Sequence, residues 1–89
     1  ILDFDDLALA LLADMAEKYP DRLKARYGIA DLSSPPAMLE GICVRRGLVL
    51  RGGDYDYERA CRAVIDDLRK GRLGRVDLDG REDVLNTDF

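Results

Sequence analysis

Residues 57–69 read Tyr57-Glu58-Arg59-Ala60-Cys61-Arg62-Ala63-Val64-Ile65-Asp66-Asp67-Leu68-Arg69. Tyr57, Ala60, Cys61, Val64, Ile65 and Leu68 recur at alternating spacings of three and one, which line them along one side of an α-helix. Asp54 or Asp56 is placed to cap its start by accepting from unsatisfied backbone N–H groups, and Gly71 marks its end. On the polar side Glu58 is expected to pair with Arg62, and Asp66 with Lys70, one helical turn apart. An apolar stripe has to be covered, so the rest of the chain decides against what this helix packs.

Working upstream, Met38, Leu39, Ile42 and Cys43 form a second stripe opened by Pro35 and Pro36, capped by Ser33 or Ser34, and stopped by Gly47. Phe4, Leu7, Ala8, Leu11, Leu12, Met15 and Tyr19 make a third, predicting a helix over about 4–19 with Asp3, Asp5 and Asp6 at its positive end. That position gives those three aspartates a capping role in preference to a metal-binding one. Pro20 ends this helix and opens a short one, with Leu23 and Tyr27 facing inward and Gly28 as a left-handed cap. Leu48, Val49 and Leu50 read as an extended connector near 48–51, packed on the core ahead of Gly52 and Gly53. The fold class is therefore all-α, a small bundle of four to five helices. Leu73 to Leu78 reads as one more turn or an extended strap, and 79–89 as an acidic, frayed tail, so the domain is expected to occupy 1–78.

Eighty-nine residues suffice for one small domain with one core, and 47% apolar with 36% charged residues is an ordinary globular balance. The start at Ile1, already helical in pattern, is expected to lie inside a longer protein. No apolar run approaches the roughly 20 residues of a membrane span, and no leader pattern stands at the start, so no membrane partner is expected. Cys43 and Cys61 fall within apolar stripes, and without histidine they do not make up a four-ligand zinc site. Reduced core thiols are the expectation over a disulfide, and with them a cytoplasmic location.

Neither a G-x-x-x-x-G-K-[ST] loop nor a G-x-G-x-x-G turn occurs, so no phosphate cradle for a nucleotide is expected in this segment. Every carboxylate has an ordinary cap or surface role open to it, and there is no histidine for proton transfer. Catalysis, metal binding and cofactor binding by this stretch itself are not expected.

The net charge of −4 hides an uneven distribution. Residues 1–40 hold 8 acids and 4 bases, 41–75 hold 5 acids and 9 bases, and 76–89 hold 5 acids and 1 base. The basic middle gathers Arg45, Arg46 and Arg51 about one helix end and Arg69, Lys70, Arg72 and Arg75 about another. The helix dipole favours cations at such ends, a sufficient structural reason for some of them. Arg45, Arg46, Arg51, Arg72 and Arg75 nevertheless have no acid one turn away within a predicted helix, and arginine is the preferred bidentate phosphate ligand. Apart from Phe89 in the tail, Tyr55 is the only aromatic off the stripes, so recognition of folded RNA through backbone and shape fits better than base stacking.

Several motifs occur together in one order: Arg45-Arg46-Gly47, Gly52-Gly53-Asp54-Tyr55-Asp56, Glu58-Arg59-Ala60, and Asp67-Leu68-Arg69-Lys70-Gly71-Arg72-Leu73-Gly74-Arg75. With Tyr19-Pro20-Asp21-Arg22-Leu23 and Arg26-Tyr27-Gly28-Ile29 upstream, the run over about 5–78 resembles the C-terminal domain of the RbgA/YlqF family of circularly permuted ribosome biogenesis GTPases. Leu68 stands where that family usually has an aromatic, and Arg72 where it often has Lys. The resemblance implies an ANTAR-like helical domain following a GTPase domain that holds the GTP and Mg. It also implies action late in assembly of the large (50S) ribosomal subunit, with this domain contacting ribosomal RNA. Carried over by position, the RNA-facing residues are Arg45, Arg46, Arg69, Lys70, Arg72 and Arg75, to which the charge pattern adds Arg51. The expected partners are ribosomal RNA, a large-subunit assembly intermediate and the parent's own GTPase domain. A rival expectation is a helical interaction or regulatory module docking an acidic partner or that GTPase domain, and a third is an ANTAR-type regulator of transcription termination.

Overall fold

The computed structural model describes residues 4–74. Four helices follow one another: α1 (Phe4–Lys18), α2 (Pro20–Tyr27), α3 (Pro35–Arg46) and α4 (Tyr57–Arg69). This is the expected all-α bundle, and its four helices are the four read from apolar spacing, α1 ending one residue short of the expected 4–19. The expected tail over 79–89, and the turn or strap beyond Gly74, lie outside the described residues.

Each helix is bounded by the local chemistry of its ends. The Ser34 side chain accepts from the Ala37 N–H, and the Asp56 carboxylate accepts from the Arg59 N–H, so Ser34 and Asp56 are the caps among the alternatives weighed. Pro20 and Pro35 occupy first turns, where the missing N–H costs nothing. Gly28 and Gly47 close α2 and α3 in the left-handed conformation at φ of 65° and 67°, donating back to Lys24 O and Cys43 O.

α1 packs against each of the other three helices, and α3 packs against α4. Leu11, Leu12 and Met15 of α1 meet Leu23 and Tyr27, Met38, Ile42 and Cys43, and Val64 and Ile65 in one fully buried cluster. Ile29 and Leu73 close its edges from the loops after α2 and α4. Both cysteines are free and buried within it, as expected of small apolar side chains.

Two details differ from the sequence reading. The connector at 48–51 is the first arm of a tight hairpin: Asp56 N–H donates to Leu48 O at 2.8 Å, Leu50 N–H donates to Asp54 O at 2.6 Å, and Val49 bridges Tyr55 antiparallel. Only Leu48 packs on the core, while Val49 and Leu50 are about half exposed, because pairing with 54–56 lifts the tip away from the helices. Tyr57, placed on the buried stripe of α4, is exposed as well; it is the first residue of the helix and its ring sits edge-on against Tyr55 at 6.0 Å.

Candidate nucleic-acid interface

The basic residues are organised around one carboxylate. Asp67 lies on the inner side of α4 and is the one buried charged residue among those described, 2% exposed. Burying a lone carboxylate is costly, so its oxygens need donors. Arg26 of α2 supplies two, Nε to Oδ2 at 3.2 Å and Nη2 to Oδ1 at 3.1 Å, a two-pronged contact suited to its planar fork. The Tyr27 hydroxyl donates to Oδ2 at 2.8 Å. Arg72, in the turn after α4, donates through Nη1 to Oδ1 at 3.1 Å, and Arg46 of α3 approaches Oδ2 at 3.9 Å. Three arginines from three separate segments thus converge on a single interior anion.

The electrostatics follow from these bonds. Burial pushes the Asp67 carboxyl up, but donors from Arg26, Tyr27 and Arg72 together outweigh it and hold the group below the ordinary carboxylate range. The Tyr27 phenol is driven far above its usual value, first by burial and then by the adjacent Asp67 charge and hydrogen bond. Arg46 also lies over the Tyr27 ring, 5.0 Å from its centre, a cation–π contact that fixes the guanidinium. Next to Asp67, Asp66 accepts from Lys70 at 3.1 Å and from Arg72 Nη1 at 2.9 Å, and these bonds lower its pKa.

Of the seven residues singled out by sequence, the structure brings Arg46, Lys70 and Arg72 together at Asp66 and Asp67. Arg45 turns the other way, into a groove of about 450 Å³ between the end of α2 and α3, with its Nε close beside Gly28. Arg51 sits at the tip of the hairpin, exposed, and Arg69 is exposed at the end of α4. Arg75 lies outside the described residues. Arg46 and Arg72 do not lack acids, contrary to the expectation from helical spacing: their acids are tertiary, Asp67 for Arg46 and both aspartates for Arg72. The expected pairs Glu58–Arg62 and Asp66–Lys70 are present at 3.1 Å.

Sequence reading missed Arg26, Tyr27's hydroxyl and Asp67. A detectable signal existed for Asp67, since it adjoins Leu68 at the edge of the apolar stripe of α4, where a carboxylate needs partners. Arg26, on α2, gives no comparable sign. Even after neutralisation the cluster keeps an excess, because Arg26, Arg46, Lys70 and Arg72 are four cations facing the two carboxylates of Asp66 and Asp67. Among the described residues no three histidine, cysteine, aspartate or glutamate side chains come together as a metal site. No helix among them is long and apolar enough to cross a membrane.

No protein-family model matches the chain. Individual proteins do. It is 33% identical to ribosome biogenesis GTPase A of Bacillus cereus over 84 residues, covering 93% of this chain and 28% of that protein. With the protein of the same name from Bacillus pumilus identity is 31% over 83 residues, covering 92% of the chain and 29% of the relative. With that of Bacillus licheniformis it is 29% over 85 residues, covering 94% and 30%. The chain spans about three-tenths of the length of these curated relatives. An all-α bundle whose sequence runs alongside these GTPases for nine-tenths of its own length belongs to the ribosome biogenesis GTPase A family and corresponds to a segment of it.

Proposed function

We propose that this chain is the RNA-binding C-terminal domain of a GTPase needed for late assembly of the large ribosomal subunit, ANTAR-like in fold, acting in the cytoplasm and non-catalytic by itself. The observation that carries this reading is the cationic excess at Asp66 and Asp67, in a chain that is acidic overall. Guanidinium groups held by a buried carboxylate are already oriented, so a phosphate binds them without paying again for ordering long side chains. GTP and magnesium belong to a separate domain of the parent, and partners are ribosomal RNA and an assembly intermediate.

Gel-shift measurement of the chain against large-subunit ribosomal RNA tests this. Lys70→Glu, at an exposed site, should weaken binding by about tenfold while lowering the thermal midpoint only slightly, through loss of the exposed Asp66 pair. Equal affinity for wild type and variant would remove this face from the account.

A second reading rests on the hairpin. Val49 at 51%, Leu50 at 50% and Tyr57 at 43% exposure join Tyr55 in an uncovered apolar cluster, the sort of surface that docks protein. In this reading the hairpin packs on the parent's GTPase domain, and the two surfaces serve one protein without competing.

A further inference from the structure

A shallow cleft of about 340 Å³ opens between α2 and the turn after α4, lined by Arg22, Ala25, Arg26, Arg72 and Leu73. Among the described residues, three of its five lining residues are arginines and none is acidic. Arg22 and Arg26 stand one turn apart on α2 and so share a face. Arg72 reaches the same opening from the far side, its backbone held by donation to Asp67 O at 2.9 Å and by the burial of Leu73 next to it. All three guanidinium groups are fixed before any ligand arrives. Arg22 lies over the Tyr19 ring, 4.4 Å from its centre, with Nη1 3.5 Å from Leu73 O; Arg26 and Arg72 are held by Asp67.

The bonds that hold Arg26 and Arg72 leave donors over. Arg26 reaches Asp67 through Nε and Nη2, so Nη1 takes part in neither bond. Arg72 uses Nη1 for both carboxylates, which leaves Nε and Nη2 unused among the described residues. Asp67, being buried, offsets Arg26 and Arg72 from the interior and does not line the opening. At Gly74 the turn passes beside Arg22 with no side chain between, and a Cβ there would come within 3.4 Å of Nη1.

We infer that this cleft is a seat for one phosphate oxyanion, gripped between the Arg22–Arg26 face of α2 and Arg72. It rests on the RNA-binding reading, under which the occupant is a backbone phosphodiester of folded RNA. A phosphate monoester has the same oxyanion chemistry, and the test separates the two. Asp67 is then a positioning residue for the seat, touching the arginines and not the ligand.

The test titrates the 89-residue chain at constant ionic strength with a ribodinucleoside monophosphate, with inorganic phosphate and with chloride, following the arginine Nε–Hε resonances by NMR. The phosphodiester should shift Arg22, Arg26 and Arg72 while leaving Arg59 and Arg62 in place, and chloride should shift none. Ala25→Glu, which sets a carboxylate in the cleft without removing an arginine or a core side chain, should abolish those shifts. It should also weaken ribosomal RNA binding at least about tenfold, the order expected for losing charge-assisted hydrogen bonds to a phosphate. Full RNA affinity in Ala25→Glu would overturn the seat while the RNA-binding reading stands. Shifts with inorganic phosphate alone would overturn the backbone assignment. A chain that binds no ribosomal RNA, yet shows the phosphodiester shifts, would sink the RNA reading and leave the oxyanion seat.

Discussion

The Tyr27 hydroxyl donates to Asp67 Oδ2 at 2.8 Å, joining α2 to α4 across 40 residues of sequence. This bond and the arginines around it tie the fold to the proposed binding face, because the side chain that satisfies a buried phenol also arranges the cations. Tyr27→Phe should cost about 1 kcal/mol, since Asp67 keeps its arginines and loses one donor. Asp67→Asn keeps an acceptor for Tyr27 but lets go of three charge partners; as these are about one-third exposed, the loss should be only about 1–2 kcal/mol. Denaturant unfolding of both single variants and the double variant should show the two effects to be less than additive. Strict additivity would separate the hydroxyl from the network.

Stability should fall in acid through Asp67. The folded-state pKa is below the ordinary value of 3.8, so the unfolded chain binds its proton first as the pH drops. The contribution is complete above the ordinary carboxylate range and is lost as pH falls through the lower folded-state value. Circular dichroism between about pH 5 and pH 2 should therefore show a steeper loss in wild type than in Asp67→Asn, which has no such proton to take up. Parallel curves would assign the acid sensitivity to other groups.

Gly41 is a glycine of space. A Cβ built on it lies 2.8 Å from Ile29 Cγ2, and Ile29 is buried, so α3 and the loop after α2 approach too closely for a side chain. Gly41→Ala should gain about 1 kcal/mol of helix propensity and lose about 1–3 kcal/mol to overpacking. The expected net result is a lower thermal midpoint, and a rise would show that Ile29 yields easily.

Replacing Leu50 with Asp should change stability by no more than about 0.5 kcal/mol, as the side chain is half exposed at a hairpin tip. Ribosomal RNA affinity should be unchanged, while association with the parent's GTPase domain should weaken in a pull-down of the two separately produced parts. Loss of RNA affinity instead would merge the two surfaces into one.

The helices were legible because each carries its own apolar stripe and its own caps, from Ser34 and Asp56 at the starts to Gly28 and Gly47 at the ends. Such signals are local, and the close match of the four helices reflects that. Val49, Leu50 and Tyr57 were assigned to the interior because hydrophobicity says only that burial is favourable, not that a neighbour is in reach. The arginine cluster was legible in composition but not in its pairing. Arg46 and Arg72 meet Asp67 through tertiary approach, and Arg26 is far away in sequence on a helix whose polar side looks unremarkable. Which cations are neutralised is a property of how the helices pack, and spacing along one helix does not carry it.

Under the proposed reading, a preorganised cationic end of this bundle binds RNA phosphates. The most direct measurement of that binding is the affinity of the chain for large-subunit ribosomal RNA as potassium chloride rises from about 50 to 200 mM. Three or four neutralised phosphates predict that the logarithm of the affinity falls linearly with the logarithm of salt, with a slope of about −2 to −4. A slope indistinguishable from zero, or no binding at the low-salt end, would contradict it.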